Sequence, residues 1–194
     1  MRIAMVGSGS IGGGLGRAWS AKGHTVSYAA RDVTDPDVVA LARETGARVA
    51  TIEEALADAE VIALAMPFGA AATVARALPA WDGRIVIDCT NPIGPGFTLL
   101  HGHTDSGAEA IARLMPGARV VKSFNAQGAE NLAQPNYDGV AASNFYCGDD
   151  AAAKTRGARP HRGGRLRANR CGPADAVSYT HLRAHETKAN LVCR

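Results

Sequence analysis

Arg2-Ile3-Ala4-Met5-Val6-Gly7-Ser8-Gly9-Ser10-Ile11-Gly12 is the stretch that decides how this chain folds. Arg2 to Val6 is a short apolar run of strand length, and glycines end it. Ile11, Leu15, Ala18 and Trp19 then recur at helical spacing, and Lys22-Gly23 closes that helix with glycine at the expected stop. Between strand and helix stands G-x-G-x-x-G, from Gly7 to Gly12. In such a loop the first glycine permits a tight turn and the second lets backbone approach a pyrophosphate. The third lets helix and strand pack closely. The helix N-terminus adds free N–H groups and a positive dipole end for phosphates. Gly7, Ser8, Gly9, Ser10, Ile11 and Gly12 are therefore the first candidate cofactor contacts. A glycine turn with a purely structural role is the plain competitor. Placement between a strand and a helix, with a second strand at the right distance, favours the ligand.

Outward from this loop the chain alternates apolar runs with helical patterns, as βαβ units do. Strands are predicted at Thr25–Ala29, Arg48–Ala50, Glu60–Ala65, Arg84–Asp88, Ala118–Phe124 and Asn144–Cys147. Helices are predicted at Val38–Glu44, which Gly46 ends, and at Ala70–Leu78. Thr51 with Glu54, and Ser106 with Glu109, have the spacing of capping boxes that open further helices. Gly128–Leu132 reads as a helical turn, and Cys89–Asp105, rich in proline, glycine and histidine, as a long functional loop. The expected fold is α/β, a Rossmann-like doubly wound and mostly parallel sheet occupying residues 1–155 and truncated at its C-terminal end.

Composition agrees with one such domain. The chain has 194 residues, 46% hydrophobic and 20% charged, which excludes a disordered polyelectrolyte. The apolar uncharged stretch from Val61 to Ala75 is broken by Pro67 and Gly69 and is too short to span a membrane. The N-terminus lacks the form of a signal peptide. Cys89, Cys147, Cys171 and Cys193 form no C-x-x-C pair and no metal-ligand spacing, so no metal is expected. They read as reduced thiols of a cytoplasmic protein.

Candidate chemistry lies on loops that leave the strand ends. After the second strand come Ala29-Ala30-Arg31-Asp32. Arg31 would pair with the 2′-phosphate of NADP, whereas Asp32 would accept from the ribose 2′-OH of NAD or merely serve a turn. Spacing alone leaves both open. Ala65-Met66-Pro67-Phe68 ends the fourth predicted strand, and Asp88-Cys89-Thr90-Asn91-Pro92 the fifth. Asp88 is either a catalytic acid or a loop cap. Lys122-Ser123-Phe124-Asn125 ends the sixth, where Asn125 can hydrogen-bond a carboxamide or a substrate carbonyl. His101 and His103 sit in the long loop, where either could donate a proton. Asn125 and His103 are the residues singled out as catalytic. Hydride transfer needs two rings held face to face in a dry pocket more than it needs covalent help.

The run from Val6 to Asp32 resembles the NADPH-dependent coenzyme F420 reductases and their bacterial dinucleotide-binding relatives. So do MPFGA (Met66 to Ala70), DCTNPIGPG (Asp88 to Gly96), SGAE (Ser106 to Glu109) and VVKSFNAQGAEN (Val120 to Asn131). The resemblance covers about residues 1–153. It implies NADP(H) as cofactor and coenzyme F420, a deazaflavin, as co-substrate. It also implies a polar residue and an arginine gripping the 2′-phosphate. Arg31 matches the arginine, while Ala30 departs from the polar residue. Met66, Pro67 and Phe68 match positions along the adenosine–nicotinamide path. The expected partner is a small-molecule acceptor, with neither nucleic acid nor membrane. An NADP-binding sensor or scaffold without turnover is the alternative.

Charge divides the chain. Residues 1–154 hold 12 Lys/Arg and 16 Asp/Glu, and residues 155–194 hold 9 and 2. A basic nucleic-acid arm would interleave aromatics, but Tyr179 is the sole aromatic after residue 154. The stretch from Thr155 to Pro173 shows neither helical nor strand periodicity. Read one base later, Ala158 to Pro173 permits P-A-L-I-A-E-A-G-F-E-P-I-D-A-G-P, an amphipathic helix followed by a strand. Val177 to Arg194 resembles translated sequencing-adaptor tails. Residues 156–194 are thus expected to be an out-of-frame, disordered tail, and an intact C-terminus would allow a homodimer.

Overall fold

The structure is a computed structural model and describes residues 1–102, 104–133, 136–137, 140–157 and 167–170. Its first half alternates β1 (Arg2–Val6), α1 (Ser10–Ser20), β2 (Thr25–Ala30), α2 (Pro36–Thr45), β3 (Arg48–Thr51), α3 (Ile52–Ala57) and β4 (Val61–Leu64). A 3-10 turn (Phe68–Ala70) leads to α4 (Ala71–Ala75), then β5 (Ile85–Asp88), α5 (Gly107–Leu114), β6 (Arg119–Ser123) and α6 (Glu130–Ala133). The hairpin strands β7 (Asn136–Tyr137) and β8 (Val140–Ala141) precede β9 (Ser143–Cys147), α7 (Ala151–Gly157) and β10 (Arg167–Arg170).

The main sheet runs in the order β10-β9-β6-β5-β4-β1-β2-β3. From β1 the chain builds outward to β3, then returns to β4 on the other side and builds outward again. The order therefore reverses between β1 and β4, whose neighbouring ends open a crevice. β1 to β6 are all parallel, while β9 runs antiparallel to β6. The Rossmann-like doubly wound reading holds.

Two faces of this sheet are covered because both sides of its central strands are apolar. Ile3 and Met5 of β1 pack with Leu15 and Trp19 of α1, Leu41 of α2 and Ala153 of α7. Ala4 and Val6 face the other way, toward Leu56 of α3, Val74 of α4 and Ile111 of α5. Local signals start and stop the helices. The Asp35 carboxylate caps α2 by accepting from the N–H of Asp37 at 2.9 Å, and Pro36 takes the first helical position. Gly46 then stops α2 in the left-handed conformation, at φ 65°. Both expected capping boxes are present, Thr51 with Glu54 and Ser106 with Glu109.

Differences from expectation have local causes. The helix expected to reach Leu78 ends at Ala75, whose carbonyl accepts from the Trp81 indole N–H at 2.9 Å. The β7–β8 hairpin has strands of two residues each, too short to leave a periodic signal. No strand was expected after Cys147, yet Arg167–Arg170 pairs parallel with β9. An edge strand offers a row of unpaired main-chain groups, so this pairing needs no apolar side-chain pattern. The rest of the expected tail, 158–166 and 171–194, lies outside the described residues. α7 reaches Gly157, two residues past the expected boundary.

Candidate functional site

The glycines of the first loop differ in what they require. Gly7 has φ +107°, and a Cβ there would run into the carbonyl oxygen of Ala65, just beyond β4. A Cβ on Gly12 would collide with the Gly7 carbonyl, so this glycine seats α1 against the loop. Gly9 differs from both. Its φ is −67°, which any residue adopts, and a Cβ there meets nothing within 4 Å. Neither packing nor backbone conformation asks for glycine at this position. The space lies at the N-terminus of α1, where N–H groups await an acceptor. A pyrophosphate drawn close to the main chain fits that cradle.

Arg31 follows β2 directly, is exposed, and has no ion-pair partner among the described residues. Asp32 beside it is already engaged. Its carboxylate accepts from the Thr34 hydroxyl at 2.6 Å and from the Thr34 N–H at 2.8 Å, which holds its pKa below the ordinary value. The acidic candidate thus serves a turn, and the basic one is left free to bind an anion.

On the other side of the switch point, Met66 and Phe68 are half-buried and pack against the core beneath, while Pro67 is exposed. Phe68 meets the ring of His101 with centroids 5.4 Å apart, tilted by 58°. His101 in turn bonds Asp105 through Nδ1, at 2.9 Å to Oδ2, and Arg113 of α5 donates to that same oxygen at 2.5 Å. Hydrogen bonds from His101 and then Arg113 hold the Asp105 carboxyl below its usual pKa. The other histidine, His103, lies outside the described residues.

Asp88 and Lys122 stand opposite each other in register at the ends of β5 and β6. They are 0% and 2% exposed and form an ion pair of 3.0 Å. Lys122 also donates to the Thr90 carbonyl, and Asp88 accepts from the Thr90 N–H at 2.9 Å and hydroxyl at 2.7 Å. With no route to solvent, Asp88 fixes the start of the long loop and is not placed to act as an acid toward a ligand. Cys89 is equally enclosed, and burial pushes its thiol pKa far up, so it is no nucleophile. Asn91 leaves this anchored segment and donates through Nδ2 to the Asn125 carbonyl at 3.0 Å. Asn125 is half-buried at the same end of the sheet.

One residue escaped the sequence reading. Phe124, just before Asn125, is buried at φ +63°, and its ring meets Trp19 edge-on at 6.1 Å. A bulky residue with positive φ is uncommon and holds only when its surroundings over-determine it. No sequence pattern announces this; glycine is the usual signal for such a turn. Among the described residues no cluster of His, Cys, Asp and Glu could hold a metal ion, and no helix is long and apolar enough to cross a membrane.

Fold and loop together define a Rossmann-type α/β protein with an open glycine loop at its switch point. The family described as "NADP oxidoreductase coenzyme F420-dependent" matches residues 2–92, the part of the chain that holds the Val6–Asp32 and Met66–Ala70 motifs. Among solved structures, a protein of Arthrobacter sp. FB24 provisionally described as an F420-dependent NADP reductase is 27% identical, with a TM-score of 0.84. That match covers 96% of this chain and 91% of the other. The hypothetical protein SMa0349 of Sinorhizobium meliloti is 25% identical with a TM-score of 0.81, covering 92% of this chain and 88% of that one. A reductive aminase from Aspergillus terreus, solved with NADPH and ethyl levulinate, shares the fold at 21% identity and a TM-score of 0.69. This chain covers 95% of its own length there but 59% of the aminase.

Proposed function

We propose that this protein is a cytoplasmic NADP-dependent oxidoreductase that moves a hydride between NADP(H) and a deazaflavin of the coenzyme F420 type, or a related small acceptor. The observation that carries the reading is Gly9, a glycine that nothing in the protein requires, beside an open space at a helix N-terminus. Gly7 to Gly12 would hold the pyrophosphate, Arg31 the 2′-phosphate, and Met66-Pro67-Phe68 the path toward the nicotinamide. When bound, the reduced nicotinamide supplies a hydride. The protein's own part is to bind, orient and keep water away. Asn125 would hydrogen-bond the carboxamide or the acceptor, from a segment that Phe124 and Asn91 hold in place.

Arg31 decides between cofactors because a guanidinium makes charge-assisted bonds to a phosphate and none to a bare hydroxyl of NAD. Arg31→Ala should weaken NADPH by about 1.5–3 kcal/mol, the range for hydrogen bonds to charged groups, and leave NADH nearly unchanged. Titrating both cofactors by fluorescence reads this directly. Equal losses for the two, or tighter NADH binding by the parent chain, would sink the NADP assignment. Tight NADPH binding without transfer to F420, flavins or small carbonyls would instead leave a binding protein without turnover.

A further inference from the structure

The long loop after β5 lies over the ends of β4 to β6, beside the crevice. At its start Asn91 is tied to the Asn125 carbonyl beyond β6, and at its far end His101 packs against Phe68 beyond β4. Between them the loop closes on itself through Gly94 N–H to the Thr98 carbonyl and Leu100 N–H to the Pro92 carbonyl, each at 2.8 Å. A histidine is thereby held on the β4 side of the crevice, against Phe68, the residue assigned to the nicotinamide path.

The orientation of that histidine is specified. Asp105 accepts hydrogen bonds only, being ionised, so the nitrogen facing it must carry a proton. This fixes Nδ1–H and leaves Nε2, which has no hydrogen-bond partner among the described residues, as the nitrogen to exchange a proton. Arg113 holds the carboxylate in turn, and Glu109 caps the same helix at the Ser106 N–H. Asp105 stands just before α5, which carries Glu109 and Arg113, and Phe68 adds an apolar wall.

We infer that His101 is the proton donor of this site, acting through Nε2 on an acceptor whose electrophilic carbon is conjugated to a nitrogen or oxygen. The inference rests on the oxidoreductase reading above. In the reduction, the acceptor carbon gains a hydride with its electron pair, the double bond opens toward the heteroatom, and that atom takes the proton from Nε2. His101 is left neutral and recovers a proton from solvent, to which its side chain is 28% exposed. In the reverse direction neutral Nε2 accepts the proton. Asp105 and Arg113 are positioning residues: they set the tautomer and touch no substrate.

Nitrogen-15 NMR of histidine-labelled protein tests placement without turnover. Neutral His101 should show Nδ1 protonated, and its Nε2 signal should move when NADP⁺ is added. The opposite tautomer, or an unmoved signal at saturating NADP⁺, would overturn the assignment. Kinetics test the role. His101→Gln should lower kcat for acceptor reduction about 10²–10³-fold, the usual scale for general acid catalysis, and leave the affinity for NADPH unchanged. The fall in reduction rate with rising pH should disappear in His101→Gln. Asp105→Asn should lower kcat less than His101→Gln does and weaken the preference for the Nδ1-protonated tautomer in the nitrogen-15 spectrum. Parental kcat and pH profile in His101→Gln would reject the proton donor while leaving the oxidoreductase reading intact. A parent chain that binds NADPH and reduces nothing would reject both.

Discussion

Gly9 and Gly12 are three residues apart and have opposite reasons to be glycine. At Gly12 a Cβ meets backbone within the protein, so Gly12→Ala should destabilise by about 1–3 kcal/mol, as overpacking does, in urea unfolding. At Gly9 the space is open, so Gly9→Val should leave stability within about 0.5 kcal/mol of the parent. The same change should abolish binding of NADPH and NADH alike. Parental NADPH affinity in Gly9→Val would make the cradle structural and the cofactor site wrong. The hexapeptide was legible in sequence as a motif. Which glycine the fold requires and which it does not becomes visible only when the carbonyls of Gly7 and Ala65 are placed.

At the scale of elements, the register of β5 on β6 sets Asp88 against Lys122, both buried. Such a pair contributes little over a well-packed apolar substitute, but removing one partner strands a buried charge. Lys122→Met should therefore cost about 3–5 kcal/mol, and adding Asp88→Asn should recover part of that loss. A double-mutant cycle in urea checks it; strictly additive losses would show that the two groups do not interact. The sequence reading weighed Asp88 as catalytic acid against loop cap. It could not choose, because a carboxylate at a strand end looks the same in either role. Lys122, 34 residues away, decides it.

Over the whole molecule, Glu60 is where distant segments meet. Its carboxylate accepts from the Arg2 N–H at 2.8 Å and from the Arg156 guanidinium at 2.7 Å, joining β1, the start of β4 and α7. The bond from the Arg2 main chain comes first in holding its pKa below the ordinary 4.5. Stability from a carboxylate with lowered folded pKa is present above the unfolded value and lost as pH falls through the folded one. Thermal stability should therefore fall as pH drops below about 4.5, and Glu60→Gln should flatten that fall. An unchanged acid limb would mean that Glu60 does not couple folding to pH. α7 itself buries Ala153 in the core, so a chain ending at Gly157 should keep its NADPH affinity, whereas one ending at Cys147 should lose stability. Beyond α7, the position of β10 coincides with E-P-I-D in the shifted reading of the codons, inside the strand that reading supplies. A chain with that frame restored should melt higher than the present one, since the amphipathic helix of the shifted reading brings an apolar face to bury. An equal or lower melting temperature would count against the shift.

By itself the sequence determined the alternation of β1 to β6 with α1 to α5, the glycine loop, and the caps at Thr51 and Ser106. These are local: apolar period, turn chemistry and side-chain-to-backbone bonds act within a few residues. Only the tertiary structure decided that β9 runs antiparallel, that Phe124 turns back into the core, and that Asp88 is spent on Lys122. It alone showed His101, held by Asp105, against Phe68. The physical reason is distance along the chain. A ring contact between residues 68 and 101, or an ion pair between 88 and 122, depends on how separate strands register. Spacing within either segment carries no record of that.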